Sequence, residues 1–209
     1  MRSPSRTTRL AALALAVAVG AGVGAAIAVT RSPAGAPRAQ TRLHGQVAWR
    51  AGQKRATDFS VRDQGGRTLS LRSRRGRVVL LAFLDSRCHS ACPLDGAQLG
   101  RVAHALRGTR SDFLIVSVDP WADTPASARA FAHRAHWVGG WHWLLGNQRQ
   151  LQPLWRAYAI AVLRTRTDIV HTRAAYLIDQ RGYVRAGYLF PLEPARIAAD
   201  ARSLLRSPA

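Results

Sequence analysis

The continuous apolar run Val78–Leu84 (VVLLAFL), with a second run at Phe113–Val118 (FLIVSV) broken only by Ser117, constrains this chain more than any other feature. A strand with one wetted face alternates apolar and polar residues. A run without alternation is expected where a strand is buried on both faces, as in a parallel sheet covered by helices. Between the runs, Leu99, Val102, Ala103 and Leu106 recur at i, i+3, i+4 and i+7, the spacing of an amphipathic helix. Strand, helix and strand in that order make a crossover unit, so the chain is α/β.

The flanking segments extend the pattern. Segments around Phe59–Val61 and Thr68–Leu71 enclose Asp63-Gln64-Gly65-Gly66, a hairpin signal. Thr124-Pro125 reads as an N-cap with proline in the first turn, and Ala128, Phe131, Ala132 and Ala135 continue that helix. A short strand is expected at His142–Leu145, then a helix carrying Leu151, Leu154, Trp155 and Tyr158. Strands at Ala174–Ile178 and Tyr183–Tyr188 enclose Asp179–Gly182, and a helix over Glu193–Arg206 closes the chain. The order predicts a thioredoxin-like fold with an extra N-terminal β-hairpin, occupying residues 56–209.

Leu10–Val29 is twenty residues without a charge. That suffices for a helix across a hydrocarbon core of ~30 Å. Arg2, Arg6 and Arg9 precede it, so residues 1–9 are expected in the cytoplasm and the domain on the extracytoplasmic face of a single-pass membrane protein. The run exceeds a usual signal-peptide core, and Pro37 would follow the small-residue site Ala34-Gly35-Ala36, which favours an uncleaved anchor. Residues 30–55, with Pro33, Pro37 and several glycines, are expected to be a flexible linker.

The formal charge is +20, but 30 of the 31 basic residues are Arg and they are scattered, without a basic stripe interleaved with aromatic platforms. This argues against nucleic acid as a partner. An anionic membrane surface or an acidic protein suits such a field better.

The chemistry is expected at the first strand–helix junction, because ligand crevices in open α/β sheets lie beyond the carboxyl ends of the strands. Cys88 and Cys92 stand there, four apart and followed by Pro93. On a helical turn this spacing puts both sulfurs on one face, where they can chelate one ion or close a disulfide after modest adjustment. A helix N-terminus favours the thiolate that either chemistry needs. A purely structural disulfide across so small a loop would restrain the unfolded chain little. His171, just ahead of the strand Ala174–Ile178, is brought beside the cysteine helix by a thioredoxin topology and is the best further ligand. His89 stands beside Cys88 and is open to several roles: spectator, tuner of thiol acidity, or fourth ligand. His44, His104, His133, His136 and His142 read as surface or core residues.

The segments Val78–Pro93 (VVLLAFLDSRCHSACP), Val116–Pro125 (VSVDPWADTP), Trp141–Gly146 (WHWLLG), Leu154–Tyr158 (LWRAY) and His171–Gly182 (HTRAAYLIDQRG) resemble the Sco/SenC family of membrane-tethered, thioredoxin-fold copper proteins. The resemblance implies one copper ion, as Cu(I) or Cu(II), on Cys88, Cys92 and His171. It also implies delivery to the CuA centre of cytochrome c oxidase subunit II, with Asp119 structural. The family commonly has proline and an acidic residue after the first cysteine, where this chain has His89-Ser90-Ala91. Two thiolates and an imidazole suit Cu(I) and disfavour hard cations, though the ligand types also admit zinc. The Cys88–Cys92 pair must be reduced to bind metal, so a membrane-linked thioredoxin-like reductant is implied, alongside another copper carrier as a further partner. This reading is of a binding and transfer protein rather than an enzyme. A thiol–disulfide oxidoreductase is the alternative, though such enzymes use Cys-x-x-Cys and a proline ahead of the facing strand, and no proline occurs between Pro153 and Pro191. A peroxiredoxin-like peroxidase would need a proline upstream of Ser86-Arg87-Cys88, which is absent.

Overall fold

The computed structural model describes residues 42–207 other than His89. Ten strands and four helices follow in the order β1 (Val47–Ala48), β2 (Ser60–Arg62), β3 (Thr68–Ser70), β4 (Val78–Leu84), α1 (Cys92–Ala105), β5 (Ser111–Ser117), α2 (Pro125–Arg134), β6 (Trp141–Leu144), α3 (Gln148–Ala157), β7 (Val162–Arg164), β8 (Ile169–His171), β9 (Ala174–Ile178), β10 (Val184–Leu189) and α4 (Pro194–Arg206). Six strands form one sheet in the order β1-β10-β9-β4-β5-β6. β4, β5 and β6 run parallel, while β9 joins β4 antiparallel and β10 pairs antiparallel with β9.

Every residue of β4 is buried, as its apolar run requires. Its side chains alternate between two cores, because successive residues of a strand point to opposite faces. Val78, Leu80, Ala82 and Leu84 meet α1, α2 and α4 through residues such as Leu99, Val102, Phe131 and Ile197. Val79, Leu81 and Phe83 meet α3 and the β2–β3 hairpin through Leu151, Leu154, Trp155, Val61 and Leu69. The helix ends follow local chemistry. Thr124 and Asn147 each accept from the backbone N–H three residues on, in reciprocal capping boxes with Ser127 and Gln150. Gly96 lets α1 and α2 approach closely, since a Cβ there would lie 2.6 Å from the Phe131 ring.

Two expectations need correcting. The linker does not extend to residue 55: Leu43 is buried, Val47 and Ala48 pair with Gly187 and Ala186, and Trp49 N–H donates to the Arg185 carbonyl. His44 anchors the same stretch, its backbone N–H and Nδ1 reaching the buried carboxylate of Asp200 at 2.7 and 2.6 Å. The folded unit therefore begins by Leu43. The hairpin β7–β8, with Leu163 opposite Val170, is an element beyond the expected order. Its turn is closed by the Thr165 hydroxyl, which donates to the Asp168 carbonyl and accepts the Asp168 N–H, so it carries no glycine signal. The span Leu10–Val29 lies outside the described residues. Among those described, no helix is long and apolar enough to cross a membrane.

Candidate metal centre

α1 begins at Cys92, so only this cysteine is helical, and Cys88 sits in the loop after β4. The expected helical i, i+4 pair is thus a loop residue facing the first residue of a helix. Both cysteines are free thiols, and both are buried at 7% and 2% exposure. The two thiols interact, and Cys92 is the one that keeps its proton. The Cys92 thiol, the Ser90 hydroxyl (3.4 Å) and the N–H groups of Cys92 and Ser90 all support negative charge on Cys88. Led by the Cys92 thiol, these donors overcome desolvation and hold the Cys88 pKa down to about 4. Donating to Cys88, together with burial, pushes Cys92 far up and keeps it a thiol. The helix N-terminus adds to the preference for charge at Cys88.

The loop holding Cys88 is braced by carboxylates. Asp123 accepts from the Ser86 N–H (2.9 Å), from the hydroxyls of Ser86 and Ser117, and from Trp143 Nε1 at 3.3 Å. Asp85 accepts the Arg87 N–H at 2.7 Å. Burial, with Asp123, Asp119 and Cys88 nearby, raises Asp85 to about 7, and burial raises Asp123 as well. Asp119 Oδ1 accepts the N–H groups of Trp121 and Ala122, which agrees with a structural role in the turn after β5. Among the described residues, Asp85, Asp119 and Asp123 form the one set of three potential ligand groups whose donor atoms all lie within 4.8 Å. Cys88, Cys92 and His171 are not drawn together to that degree.

His171 is the last residue of β8, so it is strand-borne. Its Nδ1 lies 3.0 Å from the Thr172 carbonyl oxygen. A carbonyl only accepts, so Nδ1 carries the proton and Nε2 keeps a free lone pair. Burial lowers the His171 pKa against the pull of the Cys88 thiolate and Asp95, so the ring is neutral at pH 7. Next to it, Arg173 forms a two-pronged ion pair with Asp95, the buried carboxylate in the first turn of α1. This pairing has no local signal in the sequence. A carboxylate among the apolar positions of α1 signals a partner, but nothing local says which one. His142, read as surface or core, is buried with Nδ1 3.0 Å from Asp63. His89 lies outside the described residues.

A cavity of about 270 Å³ lined by Cys88, Pro93, Phe131, Arg134 and Ala135 leads to the loop cysteine. Reduced protein should therefore be alkylated by iodoacetamide at Cys88 and not at Cys92. The rate should hold nearly level from about pH 8 to about pH 5, because the thiolate is the nucleophile. It should fall as the pH drops through about 4, where Cys88 takes up its proton. Peptide mass spectrometry across pH reads both the site and the profile. A rate rising with the ordinary thiol pKa of ~8.5 would contradict the assignment.

The SCO1/SenC family model matches residues 48–206. The chain belongs to the SCO1/SenC family. A Bacillus subtilis (strain 168) protein described as a SCO1 protein homolog is 26% identical over 137 residues, 62% of this chain and 71% of that one. The structure of Bradyrhizobium japonicum ScoI with copper bound superposes with a TM-score of 0.63 at 24% identity, covering 72% of this chain and 99% of that one. A structure of BsSco, described as a member of the Sco family of cytochrome c oxidase assembly proteins with a disulfide switch, gives 0.65 at 23% identity over 74% and 95%. At these identities the two superpositions establish the fold, which is the thioredoxin-like Sco fold. The Sco match begins at residue 48, the second residue of β1 on the sheet edge.

Proposed function

We propose that this chain is a membrane-tethered copper chaperone of cytochrome c oxidase assembly. It holds one copper ion as cargo on Cys88, Cys92 and His171 and delivers it to the CuA centre of subunit II. The observation that carries this reading is the donor set: a stabilised Cys88 thiolate, a second sulfur at the start of α1, and a neutral imidazole with Nε2 free. Two sulfurs and one imidazole nitrogen are a soft, low-coordinate set that fits Cu(I) and tolerates Cu(II). Copper displaces the Cys92 proton on binding, which releases the hydrogen bond between the sulfurs. His171, at the end of β8, supplies the third ligand. Copper-bound Bradyrhizobium ScoI supports the metal, and BsSco, as a member of a family of cytochrome c oxidase assembly proteins, supports a part in oxidase assembly. The anchor Leu10–Val29 places the domain on the extracytoplasmic face. There a membrane-linked thioredoxin-like reductant keeps the cysteines reduced and another copper carrier supplies the ion.

One observation favours a second reading, thiol–disulfide oxidoreductase. The thiols are unequal, with Cys88 poised as nucleophile and Cys92 protonated. Cys88 would attack a target disulfide and expel one target thiolate. Cys92 would then displace the second, leaving the target reduced and Cys88–Cys92 oxidised. Cells separate the two readings. Deleting the protein should lower oxidase activity, and added copper should restore at least part of it, because mass action bypasses a delivery step. Restoration by an exogenous thiol reductant and never by copper would assign the oxidoreductase.

A further inference from the structure

We propose that the Asp95–Arg173 ion pair positions the metal centre by tying the strand end that carries His171 to the helix that begins with Cys92. The inference rests on the copper site proposed above. Asp95 stands three residues after Cys92 in the first turn of α1 and is fully buried. Arg173 stands two residues after His171, in the link between β8 and β9. Arg173 Nε donates to Asp95 Oδ2 at 2.7 Å, and Nη2 donates to Oδ1. Two parallel bonds from a planar fork fix direction as well as distance.

The remaining contacts of this link leave the task to that pair. Thr172 is bonded through its N–H to the Ala161 carbonyl and through its hydroxyl to the Ala161 N–H, which holds it to the chain entering β7. The Arg173 carbonyl accepts the Phe190 N–H, and the guanidinium lies 5.6 Å from the Phe190 ring. Among the described residues, Asp95–Arg173 is the one hydrogen-bonded connection between residues 171–173 and α1. Stability alone gives little reason for an ion pair here, since well-packed apolar residues usually serve a buried contact as well. The pair supplies geometry. One end is rigid with the Cys92 turn, and the other is rigid with the His171 backbone.

The test uses the full chain in detergent, reduced and loaded with one equivalent of Cu(II). Arg173→Lys keeps the charge and loses the fork. The double variant Asp95→Asn with Arg173→Gln removes both charges and strands neither. Both should keep one copper per chain on the sulfurs, lose or broaden the imidazole nitrogen couplings in electron paramagnetic resonance, and release copper to a chelator about 10–100-fold faster, the range for losing a partner that orients a ligand. Nitrogen couplings and release rates unchanged from wild type in either folded variant would overturn the positioning role. Should the double variant fail to fold by circular dichroism, Arg173→Lys decides. The wild-type spectrum separates this proposal from the reading beneath it. Copper bound without nitrogen coupling overturns both, whereas wild-type couplings that survive in the variants overturn the positioning alone.

Discussion

Cys88→Ser and Cys92→Ser are each expected to abolish tight copper binding by the reduced protein. Whole thiolate–imidazole metal sites are worth about 10–16 kcal/mol, so one of three ligands carries on the order of 3–5 kcal/mol. A single thiolate with one imidazole is then a weak chelate that dialysis against a competing ligand strips. The two substitutions should differ in the apoprotein. Cys88→Ser removes the stabilised thiolate, so rapid alkylation below neutral pH disappears with the metal. Cys92→Ser puts a hydroxyl where a thiol donated to Cys88, so Cys88 remains acidic and reactive while copper is lost. Metal analysis after dialysis and a competition titration against a Cu(I) chelator check both. Wild-type affinity and stoichiometry in either single variant would remove the site.

His171→Ala is expected to erase the imidazole signature of the Cu(II) form and to weaken copper retention by about 3–5 kcal/mol on the same division of the site. The ring has its proton on Nδ1, held by the Thr172 carbonyl, and burial keeps it uncharged, so the lone pair of Nε2 is available without first losing a proton. Stability should change less than metal affinity, because His171 is half-buried at the end of a three-residue strand. His89→Ala, beside Cys88, should preserve stoichiometry and act on thiol acidity or redox potential. Spectra of the two Cu(II)-loaded variants decide between the histidines. Nitrogen coordination lost in His89→Ala and kept in His171→Ala would reverse the assignment.

The position of the site is legible in the sequence, because its signals are local. A continuous apolar run ending at Leu84, two cysteines, and a proline in the first helical turn place thiols at the carboxyl end of a buried strand, and the fold puts them there. The details are not legible. Four-residue spacing suggests two cysteines on one helical turn, yet the helix starts only at Cys92. Ala91 makes no side-chain cap, and the Asp85–Arg87 stretch is shaped instead by Asp85, Asp123 and Ser86. Asp123 and Ser86 are 37 residues apart, a separation that periodicity does not reach.

The sequence by itself determined the elements whose stability is local or periodic. These are the doubly buried strands β4 and β5, the amphipathic face of α1, and the capped starts of α2 and α3. Burial pattern and cap chemistry act over a few residues, so they are written in order along the chain. Tertiary structure alone decided the rest. β1 has two residues and β7 and β8 three each, without a glycine turn like the one that marks the equally short β2 and β3; they exist because a partner strand supplies their hydrogen bonds. The union of Asp95 with Arg173, 78 residues apart, is of the same kind. A buried charge demands a partner, but only the folded chain, bringing β9 alongside β4 and the His171 link over α1, determines which one it meets.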